Sequence, residues 1–426
     1  MAFLLRPRDR IKVVAEVRKR LVNAAPDRYD LTVRSEEETI TDLYESRVMM
    51  TERSNDSEKR RAVLDRITDP VLLGVAQKFF AGERLDRADG LACLETPDLL
   101  GLGQLAYASR AVRFGRRASY VVNYHLNYTN ICANACKFCA FHRTADSTDG
   151  YLLSPEEAAA RIAAAAPMEL KEVHLVGAIN PEPDFPYYLD LLAAVKRAAP
   201  RAELKAFTAV EIDHIARRAG LSWEECLTKL KEAGLRALPG GGAEVFSERV
   251  RQMLFPSKIS AGTWLAVHGT AHRLGIGTNA TLLFGHLETP AETVEHLARL
   301  REQQDQTGGF RSFIPLVFHP RNTEIAHLPG PTGVEILKVI ATSRLMLDNI
   351  PHIKAYWIML GLKMAQTALH FGADDLEGTI VHEKITHEAG ATTSVGLSRK
   401  DLEDLIVDAG FQPVERDTFH QTVAAL

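Results

Sequence analysis

The sequence predicts a parallel (β/α)8 barrel of the TIM type, preceded by a helical N-terminal extension. Three observations predict it. From residue 119 onward, short β-branched or aromatic stretches alternate with amphipathic helical stretches eight times. These units occupy about 290 residues, close to the ~250 usual for such barrels. The first helix of the series opens with Ser154 at the cap, Pro155 in the first turn and Glu157 at the third position, a helix-start signature. A doubly wound open sheet is the alternative, but no G-x-G-x-x-G follows the first strand.

Taken in order, residues 1–60 read as a charged, poorly ordered extension. Val14, Val17 and Leu21 follow helical spacing on a basic helix, and the polar stretch "RSEEETITDLYESRVMMTERSNDSEKRR" follows. A membrane-surface or partner-binding helix is a second reading of this segment, and a start of the chain at Met49 or Met50 a third. Residues 61–118 read as a helical segment packing on the barrel, and residues 119–426 as the barrel with a C-terminal helix, "SRKDLEDLIVDAG". The expected strands are "SYVVNYHLNYT", "EVHLVG", "ELKAFTA", "GLRALPG", "GTNATLLFG", "FRSFIPLVFH", "IKAYWIML" and "GTIV".

Composition narrows the function classes. Hydrophobic residues make up 46% and charged residues 25% of the 426, with a net charge of −4. Such a balance recruits neither nucleic acid nor an anionic membrane. No apolar run approaches the ~18 residues of a membrane span, and the N-terminus lacks a signal-peptide core. A cytosolic protein is expected. Of five cysteines, Cys93 and Cys226 sit singly in helix-like stretches, as small buried apolar residues.

The other three, Cys132, Cys136 and Cys139, fall within eight positions directly after the first strand, spaced C-x3-C-x2-C. Barrel enzymes keep their chemistry in that loop layer. A structural zinc site needs four ligands, and no second cysteine pair exists; His142 is the residue that could complete one. Clustered thiolates also suit an iron–sulfur cluster, and three of them leave one iron open to a substrate.

With Phe138 before its last cysteine, this motif resembles the radical SAM signature. Together with "KAFTAVEI", "LPGGGAE", "NATLLFGH", "FIPLVFHPRNTE", "SRLMLDNIPHIKAYWIMLG" and "FGADDLEGTIVHEKITHEAGA", the chain is similar to the aminofutalosine synthase family over about residues 67–395. The resemblance implies a [4Fe–4S] cluster on the three cysteines, with S-adenosylmethionine (SAM) as a consumed co-substrate. It implies addition of the 5′-deoxyadenosyl group to 3-[(1-carboxyvinyl)oxy]benzoate in menaquinone biosynthesis, with an electron donor such as flavodoxin or ferredoxin. The dehypoxanthine futalosine cyclases are a sister alternative. An electron carrier or a zinc protein is the reading outside enzymes.

The same resemblance places Gly177 and Ala178 against the SAM amine, with Ala178 and Asn180 departing from the family's Gly-Gly-Leu-His-Pro pattern. Thr208, Glu211 and Asn279 are candidates for SAM's polar groups; helix capping or barrel packing is their plainer role. For the substrate carboxylates, His319, Asn322, Thr323, His286 and His387 lie past strand ends. Arg344 falls on the apolar face of its helix, where a guanidinium needs a partner: Asp348 one turn on, or a substrate carboxylate.

Overall fold

The computed structural model describes residues 58–381 and 383–423. The expectations for Val14, Val17, Leu21, Met49 and Met50 lie outside the described residues.

After a short helical stretch at 58–64 come the helices Pro70–Phe80, Arg87–Glu95 and Leu99–Phe114, each capped by an aspartate: Asp69, Asp86 and Asp98. Such caps satisfy backbone N–H groups that the helix itself leaves open, about 1 kcal/mol each. Leu72, Val75, Leu102, Leu105 and Ala106 pack with Leu337, Ala341 and Leu345 of the helix Gly333–Met346. Cys93 is buried in this layer, where burial pushes its thiol up to about 12. Cys226 is buried and inert in the same way within the main core.

The strands are β1 (Arg117–Val121), β2 (Asn123–Leu126), β3 (Glu172–Leu175), β4 (Glu203–Ala206), β5 (Leu235–Leu238), β6 (Gly277–Phe284), β7 (Phe310–Val317), β8 (His352–Ile353), β9 (Asp375–Gly378) and β10 (Gln412–Glu415). β2 to β8 form a seven-stranded parallel sheet in sequence order, and β1 pairs with β9 and β10. The segment around β9 bridges the two ends of the large sheet. On one side Asp374 N donates to Ile353 O at 3.0 Å and Ala355 N to Asp375 O at 2.7 Å. On the other, His125 N of β2 donates to Ile380 O at 2.7 Å and Ile380 N to Asn123 Oδ1 at 2.8 Å. The curled sheet and its helices thus have the expected barrel class.

Three strand expectations shift. "SYVVNYHLNYT" breaks at Val122 into the end of β1 and β2, which lie in different sheets. Of "IKAYWIML" only Ile353 belongs to a strand, β8, and Trp357–Leu360 is a helical turn. Trp357 is fully buried and donates its Nε1–H to Gly378 O at 2.9 Å, so tertiary packing overrides the aromatic, β-branched composition. In "GTIV" the strand starts earlier, at Asp375. β10 carries no strong apolar signal; it adds to the outer edge of β1.

Alternation along the strands sorts the lumen from the outer core. Tyr124, Leu126, Val173 and Leu175 join the main hydrophobic cluster. Between them, Asn123 lies opposite Glu172, and His125 opposite His174. The first of these layers is charged: Lys205 pairs with Glu172 at 2.6 Å, and Lys354 with Glu377 at 2.5 Å. Asn123 Nδ2 donates to both carboxylates at 3.4 Å. Charges this deep persist because each has an opposite partner.

Candidate active site

β2 runs into the cysteine loop, which is tied down at several points. Cys132 N donates to Arg143 O, Ala133 N to Ile179 O and Lys137 N to Leu254 O, all at 2.9 Å. Asn130 brackets the loop's return, donating to Asp149 O at 3.0 Å and accepting from Tyr151 N at 2.8 Å. Ala135 takes a positive φ of 43°, which turns the chain between the first two thiols.

None of the three cysteines is in a disulfide; Cys136 is buried, and Cys132 and Cys139 are half-buried. Burial pushes the Cys136 thiol up to about 12, against the opposing charge of Lys258. Lys258 is itself largely covered, its side chain 13% exposed. Burial disfavours its charge, but Cys136 and the paired Glu244 carboxylate hold its pKa above the ordinary value. Its Nζ also lies 5.3 Å from the Phe138 ring centroid. All three thiols line a single cavity of about 260 Å3, together with Phe138, Gly177, Ala178, Thr208, Glu211 and His319.

The donor set fits a cluster better than one ion. Among the described residues, the trio whose ligand atoms converge within 4.8 Å is His125, His174 and Glu377, and the cysteines form no such trio. His142, the candidate fourth zinc ligand, donates its Nδ1–H to Cys139 O at 2.8 Å. Three unpaired thiols, spread wider than a single ion reaches, suit a multi-iron cluster with a free corner.

The glycine loop after β3 is built for close approach. A Cβ on Gly177 would lie 2.6 Å from the Tyr128 ring and 3.0 Å from Thr129 Cγ2. Glu211 fixes this loop: its Oε1 accepts from Gly177 N at 3.1 Å and from Tyr128 Oη at 2.7 Å. Its Oε2 accepts from Thr208 N at 2.7 Å and Thr208 Oγ1 at 2.8 Å in a capping box. Burial raises the Glu211 carboxyl, and these four donors oppose the rise. Thr208 and Glu211 therefore line the cavity while their polar atoms hold the loop. Ala178 keeps a negative φ, so its side chain costs nothing, and its carbonyl accepts from Asn180 N at 3.0 Å. Asn180 braces the loop further through Thr129 Oγ1 at 3.1 Å.

Gly177→Ala is expected to destabilise by about 1–3 kcal/mol, because Tyr128 or the loop must move. It should also weaken SAM binding. Chemical denaturation and SAM titration of one preparation check both, and wild-type values for each would refute the close-approach account.

The remaining candidates separate. His319 lines the cavity and donates Nε2–H to Met359 O at 3.0 Å; burial keeps it neutral. Asn279 lies deeper, accepting from Ser312 Oγ at 2.8 Å. Arg344 is corrected: it is fully buried, bonds Gly372 O and Pro351 O, and pairs with Asp374 away from the cavity. Its expected partner Asp348 pairs with Arg84 instead. His286 is also off the cavity, its Nε2 donating to Leu283 O at 3.1 Å. Asn322 donates to Glu388 O and Thr323 to Pro320 O.

His387 faces a separate outer depression with Asn322, Glu383 and Glu388. Its hydrogen bond to Glu383 raises it from 6.5 to about 9. A raised folded pKa adds stability that is complete below about 6.5 and disappears as pH climbs through about 9. Melting temperatures of wild type and His387→Asn should therefore differ at pH 6 and converge near pH 10; equal gaps at both would refute the pairing.

Sequence reading missed His125, His174, Glu377 and Tyr356, which line a deeper cavity. The period-2 polar positions inside apolar strands were the available signal.

Comparisons with known proteins show the family. A family model for the radical SAM superfamily matches residues 126–300, and one for the CofH/MqnC C-terminal region matches residues 307–424. An aminodeoxyfutalosine synthase from Thermus thermophilus is 44% identical over 84% of this chain and 97% of its own. A 5-amino-6-(D-ribitylamino)uracil--L-tyrosine 4-hydroxyphenyl transferase from Methanopyrus kandleri is 38% identical, with the same two coverages. Methylornithine synthase shares the fold at a TM-score of 0.65 and 18% identity, over 80% of this chain and 97% of that one. Barrel and thiol loop together define a radical SAM enzyme. The chain belongs to the radical SAM family that contains the aminodeoxyfutalosine synthases and the 4-hydroxyphenyl transferases. That family implies an iron–sulfur cluster and SAM. Among the described residues no helix is long and apolar enough to cross a membrane.

Proposed function

We propose that this chain is an aminofutalosine synthase of the cytoplasm. It would join the 5′-deoxyadenosyl group of SAM to 3-[(1-carboxyvinyl)oxy]benzoate, giving 6-amino-6-deoxyfutalosine, methionine and bicarbonate. The observation that carries this reading is the trio of free thiols opening onto a cavity that continues into the barrel lumen. The similarity to the Thermus thermophilus synthase adds the choice of reaction.

Cys132, Cys136 and Cys139 would hold a [4Fe–4S] cluster, whose chemistry is one-electron cleavage of the SAM sulfonium. The protein's own part is to bind, orient and exclude water. Gly177 and Ala178 present backbone carbonyls to the methionine amine, and Thr208 and Glu211 keep that loop in place. Phe138 packs edge-on against Phe255 at 5.8 Å and shields the thiols from solvent. The carbon lining of Leu283, Leu316, Val317, Phe318 and Met359 gives the substrate's vinyl ether a dry, apolar surround beside the thiol end of the cavity. A flavodoxin or ferredoxin supplies the electron.

A second reading, transfer of a 4-hydroxyphenyl group from tyrosine, has the Methanopyrus kandleri similarity in its favour. One anaerobic assay separates them. Reduced, iron-reconstituted protein with SAM receives either the carboxyvinyloxy-benzoate or tyrosine with the ribitylaminouracil. The expected result is an adenosylated product only in the first tube. Free 5′-deoxyadenosine with no adenosylated product there, or aryl transfer in the second, overturns the synthase reading.

A further inference from the structure

Beneath the cysteine-lined cavity lies a deeper one of about 150 Å3. The two share Val176, Thr208, Gly241, Leu316 and Met359, so they are continuous. At the deep end sit His125 and His174, opposite each other on β2 and β3 with ring centroids 4.4 Å apart. Tyr356 stacks on His125 at 6.4 Å.

Two buried polar atoms at this end have no hydrogen-bond partner, Nδ1 of His174 and Oδ1 of Asn127. Asn127 is only 7% exposed, and its amide nitrogen already donates to Val176 O at 3.0 Å. Unmet polar atoms in a dry lumen are costly to keep unless a ligand answers them.

What ligand is decided by charge. His125, His174 and Glu377 converge within 4.8 Å, the two-imidazole, one-carboxylate set of many metal sites. Glu377, however, already receives the Lys354 ammonium at 2.5 Å, with Lys205 3.7 Å away. Lys205 and Lys354 balance Glu172 and Glu377, so a divalent cation would add unbalanced charge beside two ammonium groups. An anion meets N–H donors on imidazoles that burial keeps neutral, and the two carboxylates on the same lining are already engaged, Glu377 by Lys354 and Lys205 and Glu383 by Thr386 N and His387 Nδ1.

We propose that His125 and His174 seat the ring carboxylate of an aryl acid substrate, with Asn127 Oδ1 completing the seat by accepting from a water that bridges to the carboxylate. The inference rests on the reaction proposed above. There, the vinyl ether has to face the cysteine end, where the adenosyl group is delivered. The ring carboxylate, meta to the ether oxygen, would then reach down the lumen to the histidine pair.

The test is equilibrium binding to the iron-reconstituted, SAM-loaded protein under anaerobic conditions, with 3-methoxybenzoate and 3-methoxybenzamide as probes. Wild type is expected to hold the acid at least about tenfold tighter than the amide, the size of one charge-assisted hydrogen bond. His174→Gln and His125→Asn should lose most of that preference while binding SAM as wild type does. No acid preference in wild type, or full preference in both variants, overturns the proposal without reference to whether a variant folds poorly. So does stoichiometric Zn2+ or Mn2+ binding that His174→Gln abolishes, which would make the pair a cation site. Adenosylated product without acid preference sinks this seat alone; acid preference without adenosylated product sinks only the reaction.

Discussion

Cys136→Ala is expected to leave a folded protein that loses its bound iron and its turnover. The loss should exceed the roughly 10–100-fold that removal of a supporting hydrogen bond costs a metal site. Cys136 is the buried member of the trio, 4% exposed, and its thiol is held protonated by its surroundings when no metal is present. Metal takes the thiolate, so binding must release that proton. Lys258 stands beside Cys136 to offset the resulting negative charge, and Glu244 keeps the ammonium in place. Iron content, visible absorbance and product formation after anaerobic reconstitution are the measurements. A Cys136→Ala protein with full iron and wild-type turnover would remove the basis of the active-site assignment. Cys93→Ala and Cys226→Ala serve as controls, because both thiols are buried in apolar packing and should change neither reading.

Arg344→Ala is expected to destabilise the fold by about 3–5 kcal/mol, the cost of leaving a buried charge without its partner. The guanidinium pairs with Asp374 and donates Nε–H to Gly372 O at 2.7 Å and Nη1–H to Pro351 O at 2.9 Å. Burial pulls it down to about 10, so it remains charged at neutral pH. Asp374 also accepts from His352 Nδ1 and Ile353 N, which ties β8 to the start of β9. Replacing both partners, Arg344→Met with Asp374→Leu, should recover part of the loss, since no buried charge is left unpaired although Gly372 O, Pro351 O, His352 Nδ1 and Ile353 N lose a partner. Denaturant midpoints of the single and double variants test this. The KM of the folded fraction for either substrate should stay at the wild-type value. A large rise in KM with little loss of stability would return Arg344 to the substrate pocket.

The contrast between these two residues shows what could be read from the chain. The cysteine loop is legible because its ligands are local: three thiols within eight positions need no tertiary information to be recognised together. Capping boxes such as Ser154 with Glu157 and Thr208 with Glu211 are local in the same sense, and helix starts followed from them. Arg344 is the opposite case. The apolar stripe predicts its burial, but its partner is thirty positions away, beyond β8 and the helical segments Trp357–Leu360 and Leu362–Leu369, and Asp348 was merely nearer in sequence. His125 and His174 were passed over because a polar residue inside an apolar strand carries no sign of which lumen layer it enters. That depends on register, and register is a property of neighbouring strands. Trp357 shows the same limit for secondary structure, where its contact with Gly378 decides helix over strand.

The bridge made by residues 374–380 also bears on how the protein comes off the ribosome. The thiol loop and the first six paired strands are all synthesised well before the segment that joins both margins of the sheet. Until then β2 and β8 present open hydrogen-bonding edges, the kind of surface on which nascent chains stick to one another. A chain truncated after residue 370 should accordingly aggregate, whereas one lacking only β10 should remain dispersed. Sedimentation of the two truncated products would tell them apart, and equal solubility would mean that the sheet guards its margins by some other means.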